Sequence, residues 1–168
     1  MPITHNATLY AGPAGGFRSG FGLSRKMEFE ELISVLTAEH VEMKKDLADV
    51  KQAITKGDFS SASKILGELD WMFKQHIADE EAQVLRILID AYGVEGADDA
   101  IKVFRQHRPI YDLMEEVKRL ASLSVEELAS DEYGLRQLLE EHTFAEESRV
   151  FPRAISTYRE RAVSDIPD

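Results

Sequence analysis

Two stretches of the chain, KQHIADEEAQV (residues 74–84) and EEHTFAEESRV (140–150), each set a glutamate four residues after a histidine inside an otherwise apolar helical pattern. Four residues is about one helical turn, so His76 and Glu80 share a face, as do His142 and Glu146. A neutral imidazole offers one lone pair and a carboxylate offers oxygens. Nitrogen and oxygen donors without sulfur suit iron, manganese or zinc. The chain has no cysteine, which rules out disulfides, thiolate metal sites and iron–sulfur clusters.

The remaining histidines follow the same logic. Of five, His5 lies near the N-terminus and reads as a surface residue; His40 and His107 join His76 and His142 on helical stripes. His40 fills the vacant position in the seam Leu32, Leu36, Met43, Leu47, Val50, Ile54. His107 stands three residues after Phe104 and three before Ile110. Thus each of four helices carries one inward imidazole. The spacing His40 to His76 is 36 residues and His107 to His142 is 35, so the second hairpin reads as a structural copy of the first.

The helices that must position these groups run from Met27 onward with a 3.6-residue apolar period and no sustained two-residue alternation. The first spans about 27–55. TKGDF breaks it, and Asp58 serves as N-cap of the second, about 59–92, with Ile65, Leu69, Met72 or Phe73, Val84, Ile87 and Ala91 inward and Gly93 as its stop. The third, about 98–121, turns Val103 or Phe104, Ile110, Met114, Val117 and Ala121 inward and should kink at Pro109. Ser124 and Glu127 form a capping box opening a short helix. The fourth helix, about 131–151, has Leu135, Leu138 and Val150 inward, and Pro152 bends or interrupts it before a last segment to about 163. Trp71, Phe73, Phe104 and Phe144 are expected to pack the core and keep water from the site. Short links favour an all-α, up-down-up-down antiparallel four-helix bundle. Residues 1–26, with five of ten glycines and two of five prolines, read as an irregular arm; 27–163 form the bundle and 164–168 a tail.

Each helix histidine lies within about three residues of its helix midpoint. Midpoints share one level in an antiparallel bundle, so the four imidazoles should meet in one layer. If an inward stripe takes roughly 2/7 of positions, four independent hits have a chance on the order of 1%. The second and fourth helices are diagonal and parallel, which places Glu80 and Glu146 on the same side of that layer, facing each other. Burying six such groups is costly unless a metal takes up their lone pairs. Six donors exceed one tetrahedral zinc but divide over two ions. Each ion then takes two histidines, Glu80 and Glu146 bridge, and an oxo or hydroxo bridge from solvent completes a di-iron centre, for which manganese or zinc could substitute. Ferritin-like bundles carry Glu-x-x-His instead. Here Thr37, Phe73, Phe104 and Leu139 stand three residues before the helix histidines, so that pattern is absent.

The order His … His-x-x-x-Glu … His … His-x-x-x-Glu, followed by Glu146-Glu147-Ser148-Arg149-Val150-Phe151-Pro152, resembles the hemerythrin-like, HHE cation-binding family over about residues 27–152. The resemblance implies His40, His76, His107 and His142 as terminal iron ligands with Glu80 and Glu146 as bridges. Oxygen-carrying hemerythrins have a further histidine four residues after that of the third helix, where this chain has Tyr111. They also place their last carboxylate as aspartate five residues after the histidine, at the position of Glu147, while Glu146 is the better-placed group here. The four-histidine, two-glutamate set is more similar to the domains of iron sensors and of di-iron proteins tied to iron–sulfur cluster repair. The repair proteins have an N-terminal cysteine-containing domain that is not in this sequence.

The expected function is therefore that of a non-haem di-iron protein that interacts with dioxygen, nitric oxide or peroxide, or that handles or senses iron. The alternatives are a di-iron enzyme reducing peroxide or nitric oxide, an iron donor for cluster repair, and, last, a metal-free interaction bundle. Glu81 and Glu147 read as outward residues or outer partners of the bridges. Tyr111 reads as packing, an outer hydrogen bonder or a weak ligand. The net charge of −11 argues against nucleic acid and anionic membrane surfaces as partners. With no apolar run near 18 residues and no apolar core of a secretory signal in the first 26, a cytoplasmic protein is expected. Oligomeric state is left open.

Overall fold

The computed structural model describes residues 28–123 and 128–164. The N-terminal arm with His5, the capping box at Ser124 and Glu127, and the last four residues lie outside that range. Every described element is helical: α1 (Phe29–Thr55), α2 (Phe59–Asp79), a π-helical turn (Glu80–Leu85), α3 (Arg86–Gly96), α4 (Asp98–Leu123), α5 (Leu128–Ala145), a second π-helical turn (Glu146–Val150) and α6 (Phe151–Ser164). The π turns join α2 to α3 and α5 to α6, which leaves four rods. Each rod packs on the next, α1 on α2, α2 on α4, α4 on α5 and α5 on α1, the closed ring of an up-down-up-down bundle. Among the described residues no helix is long and apolar enough to cross a membrane.

The link between α1 and α2 illustrates how tightly local chemistry sets the turn. Gly57, at φ 72°, takes the left-handed conformation; Asp58 N–H donates to Ala53 O and Gly57 N–H to Ile54 O, both at 2.9 Å. That is the Schellman arrangement. Asp58 then caps α2, its Oδ1 accepting from Ser61 N–H at 3.0 Å. No neighbour lies within 4 Å of a Cβ built on Gly57, so an alanine there meets only backbone strain. Gly57→Ala should lower stability by about 1 kcal/mol. Gly67, helical and equally unobstructed within α2, should show the opposite sign, Gly67→Ala adding about 0.5–1 kcal/mol. Urea midpoints of the two variants check both signs.

Gly93 does stop the second rod: at φ 69°, ψ 175° it is not helical, and Asp98 opens α4 shortly after. α4 runs through Pro109 as one helix. Within the described residues the fourth rod is already helical at Leu128 and continues unbroken through Glu132, both buried. It also continues past Pro152 to Ser164.

The apolar stripes of the second and fourth rods differ from those expected by one residue. Leu66, Leu85, Leu88 and Leu139 are buried, while Ile65, Ile87 and Leu138 are only partly so and Ala91 is exposed. For Leu88, downstream of the π turn, that turn is the reason. His76, Glu80, Val84 and Leu88 step by four, and twelve residues of regular α-helix at 100° each would leave Leu88 about 120° off the inner face. A π turn advances each residue less and takes that drift out. His142, Glu146, Val150 and Ala154 repeat the device. Trp71, Phe104 and Phe144 do not pack the core; they are 67%, 51% and 64% exposed, and only Phe73 of that group is buried.

The buried side chains form two separate clusters. One holds Met43, Leu69, Phe73, Ile110, Met114, Leu135 and Leu139. The other holds Leu36, Val84, Leu88, Val103, Val150 and Phe151. Between them lies a polar layer.

A candidate metal centre across the middle of the bundle

That layer consists of the six residues the sequence singles out. His40, His76, Glu80, His107, His142 and Glu146 are all buried, one histidine from each rod and one glutamate from the start of each π turn. One donor atom each from His76, Glu80, His142 and Glu146 lies within 4.8 Å of the other three. His40 and His107 complete the ring: His40 Nε2 is 2.8 Å from Glu146 Oε2, and His107 Nε2 is 3.1 Å from Glu80 Oε2.

All four rings turn Nε2 inward because Nδ1 is held from outside. His40 Nδ1 is 2.8 Å from Glu147 Oε1, His76 Nδ1 3.0 Å from Glu39 Oε2, and His107 Nδ1 2.7 Å from Glu81 Oε1. His142 Nδ1 is 3.3 Å from Gln106 Oε1. The partners form a pinwheel, each histidine reaching to the preceding rod around the ring. A carboxylate accepts and cannot donate, so the proton of each ring it faces sits on Nδ1 and the Nε2 lone pair is free for a metal. Glu81 and Glu147 thus act as outer partners of histidines rather than of Glu80 and Glu146. Glu39 and Gln106 escaped the sequence reading. Each directly precedes a helix histidine in the sequence, but only the packed bundle sets it beside the next rod's ring.

His40 Nε2 and His76 Nε2 face each other at 3.2 Å. With both Nδ1 atoms donating outward, two bare lone pairs at that distance repel unless a proton or a cation stands between them. Two nitrogens bound to one ion at about 2.1 Å stand roughly 3.0–3.4 Å apart over octahedral to tetrahedral angles, so the spacing suits a shared ion. His107 and His142 form the other pair, ring centroids 5.1 Å apart. The Glu146 carboxylate spans both pairs: Oε2 lies 2.8 Å from His40 Nε2 and 3.7 Å from His76 Nε2, while Oε1 lies 2.7 Å from His142 Nε2. Yet neither Glu146 oxygen, nor Glu80 Oε1, nor His142 Nε2 makes a properly aligned hydrogen bond, although all are buried. Orphaned buried donors and acceptors are rare and costly. These four converge on one place, and a metal would satisfy them together.

The electrostatics carry the same sign. Burial works against a charged His76, but Glu146 and Glu39 outweigh it and lift its pKa to about 9. Burial and the facing Glu146 charge raise Glu80 to about 7. Glu146 resists its own burial because His142, His40 and His76 hold it well below the carboxylate range. Burial lowers His142. The layer therefore takes up protons where a cation would sit, and a cation would displace them.

Tyr111 is not in the ring of donors. Its side chain is half-buried and packs edge-on against Phe73, centroids 5.4 Å apart. Two further buried carboxylates, Asp70 and Glu132, are not in the layer's donor set; Asp70 is bound by Lys74 and Lys118 at 2.8 Å each.

A family model described as the hemerythrin HHE cation binding domain matches residues 31–154, which takes in all six layer residues. No curated protein and no solved structure matches the chain.

Proposed function

This chain belongs to the hemerythrin HHE cation-binding family, and from that premise we propose that its polar layer holds two iron ions and exchanges small ligands such as dioxygen, nitric oxide or peroxide. His40 and His76 bind one ion, His107 and His142 the other, and Glu80 and Glu146 bridge them. The observation that carries this reading is the Glu146 carboxylate, one oxygen on each histidine pair at 2.8 and 2.7 Å. Bound iron supplies one-electron redox chemistry and open positions for a small ligand.

The chain's own residues account for the rest. The outer partners fix each imidazole in the tautomer a metal needs. Leu36, Val84, Val103 and Val150 on one side and Phe73, Ile110 and Leu139 on the other exclude water and give the layer two apolar walls. Two nitrogens per ion, with tyrosine where the oxygen carriers have a further histidine, leave positions for ligand exchange on both ions. This favours exchange and redox turnover over simple oxygen carriage.

Protein loaded anaerobically with Fe(II) should hold two irons and, after oxidation, absorb in the near-UV through ligand-to-iron charge transfer. Reduced protein is then titrated with oxygen, nitric oxide and peroxide in turn. A reversible optical change identifies binding or sensing; one-way oxidation with catalytic consumption identifies an enzyme. Protein that takes up one ion or none would refute the di-iron reading.

A further inference from the structure

The pinwheel has an internal two-fold relation. α1 corresponds to α4 and the second rod to the fourth, so that His40 pairs with His107, His76 with His142, Glu80 with Glu146, and Glu81 with Glu147. The outer contacts follow the same relation: His40 to Glu147 at 2.8 Å matches His107 to Glu81 at 2.7 Å. His76 to Glu39 at 3.0 Å matches His142 to Gln106 at 3.3 Å. Six layer residues and two outer partners, Glu81 and Glu147, keep their chemical type under this relation. One position breaks it: where Glu39 is a carboxylate, Gln106 is a neutral amide, and its contact is the longest of the four.

We propose that Gln106 is a positioning residue that makes the two ion positions unequal, so that His40 and His76 load first and tightest and His107 and His142 form the more exchangeable site. This rests on the two-ion reading above. A carboxylate behind an imidazole raises its basicity and fixes its orientation; an amide does neither as strongly, because it has no charge and its own NH2 end competes for acceptors. Outer partners of this kind change metal affinity by about 10–100-fold. Both imidazoles of the first pair are backed by carboxylates, but only one of the second pair is. Glu146 bridges both pairs and cannot by itself create the difference.

The test uses the full chain and Co(II), titrated against a competing chelator. Wild-type protein should give two binding constants about tenfold or more apart. With one equivalent of Co(II), paramagnetic shifts should appear first on the 15N-labelled rings of His40 and His76. Gln106→Glu should raise the weaker constant towards the stronger. Glu39→Gln leaves one carboxylate and one amide behind each pair, so its two constants should converge from the other direction. Equal constants in wild type, or a separation that neither variant changes, would overturn the inference and leave the two-ion reading intact. Uptake of a single ion would instead overturn that reading, and this inference with it.

Discussion

Glu146→Gln should cost the protein its metal centre and destabilise the metal-free fold, whereas Glu80→Gln should cost it the centre alone. The two glutamates are related by the internal repeat, so equal consequences would be the simple expectation. Their surroundings differ. Glu146 faces three imidazoles and stays ionised because they hold its proton affinity down. Removing its charge leaves His40, His76 and His142 without the carboxylate that faces their Nε2 atoms, a change of the kind that costs about 3–5 kcal/mol. Glu80 faces His107 alone at 3.1 Å, and burial beside Glu146 raises it to about 7. At pH 8 its ionised form is a liability in the metal-free protein, and Glu80→Gln should stabilise that form by about 1–3 kcal/mol. On the proposed two-ion reading both variants lose a bridging oxygen, and both should bind metal about 100-fold or more weakly, beyond the range set by outer partners. Urea titration of chelator-treated protein at pH 8 separates the first effect, and metal analysis after gel filtration reads the second. A Glu146→Gln protein that keeps two ions at wild-type affinity would show that the carboxylate between the pairs is not a bridge.

The residues of the layer were legible in the sequence because imidazole and carboxylate are conspicuous on an apolar stripe, and the helices because the stripes have a 3.6-residue period. The drift of the apolar stripe beyond each glutamate was not legible, and its source is the π turn. Reading 76, 80, 84 and onward as regular α-helix places Ile87 inward, yet Leu88 is buried. The four-residue steps 76, 80, 84, 88 and 142, 146, 150, 154 do not suit an unbroken α-helix. Their repetition at both glutamates was the available sign of a π turn. Such turns are enriched at functional sites. Here they keep the downstream leucine and alanine on the core side of a rod whose glutamate also points inward. Phe104 and Phe144 misled for a different reason: an aromatic beside an inward position is as close in sequence to the outer face as to the inner one. Val103 and Ala145 take the buried positions next to them. Glu39 and Gln106 were missed because nearest neighbours in sequence point away from each other on a helix, and only the adjacent rod makes them partners of a histidine.

Metal-free protein should be most stable on the acid side of neutrality and lose that stability as the pH rises to 9, while the loaded protein should not. The sign follows from three raised groups, His76, Glu80 and His107, the last lifted, against its own burial, by Glu80 and Glu81. His76 binds its proton more tightly folded than unfolded, near 9 against 6.5, so its contribution is complete below pH 6.5 and gone above 9. Glu80 is raised as well, to about 7 from 4.5, and its protonated form contributes below pH 4.5 and fades as the pH passes 7. Glu146 is depressed and acts oppositely, its contribution present above pH 4.5 and lost as the pH falls through its folded value. His76, Glu80 and Glu146 together place the maximum near pH 4.5, where Glu146 is ionised and Glu80 and His76 still hold their protons. From there to pH 9 the loss attributable to His76 alone is on the order of 3 kcal/mol. A metal replaces these protons with a charge that does not titrate away. Loading at pH 7 should therefore release more than one proton, from His76 and part of Glu80, and apparent affinity should rise with pH up to about 9. Urea midpoints from pH 5 to 9, with chelator and with metal, should diverge as the pH rises; curves that stay parallel would mean that the buried layer is not where cation and proton compete.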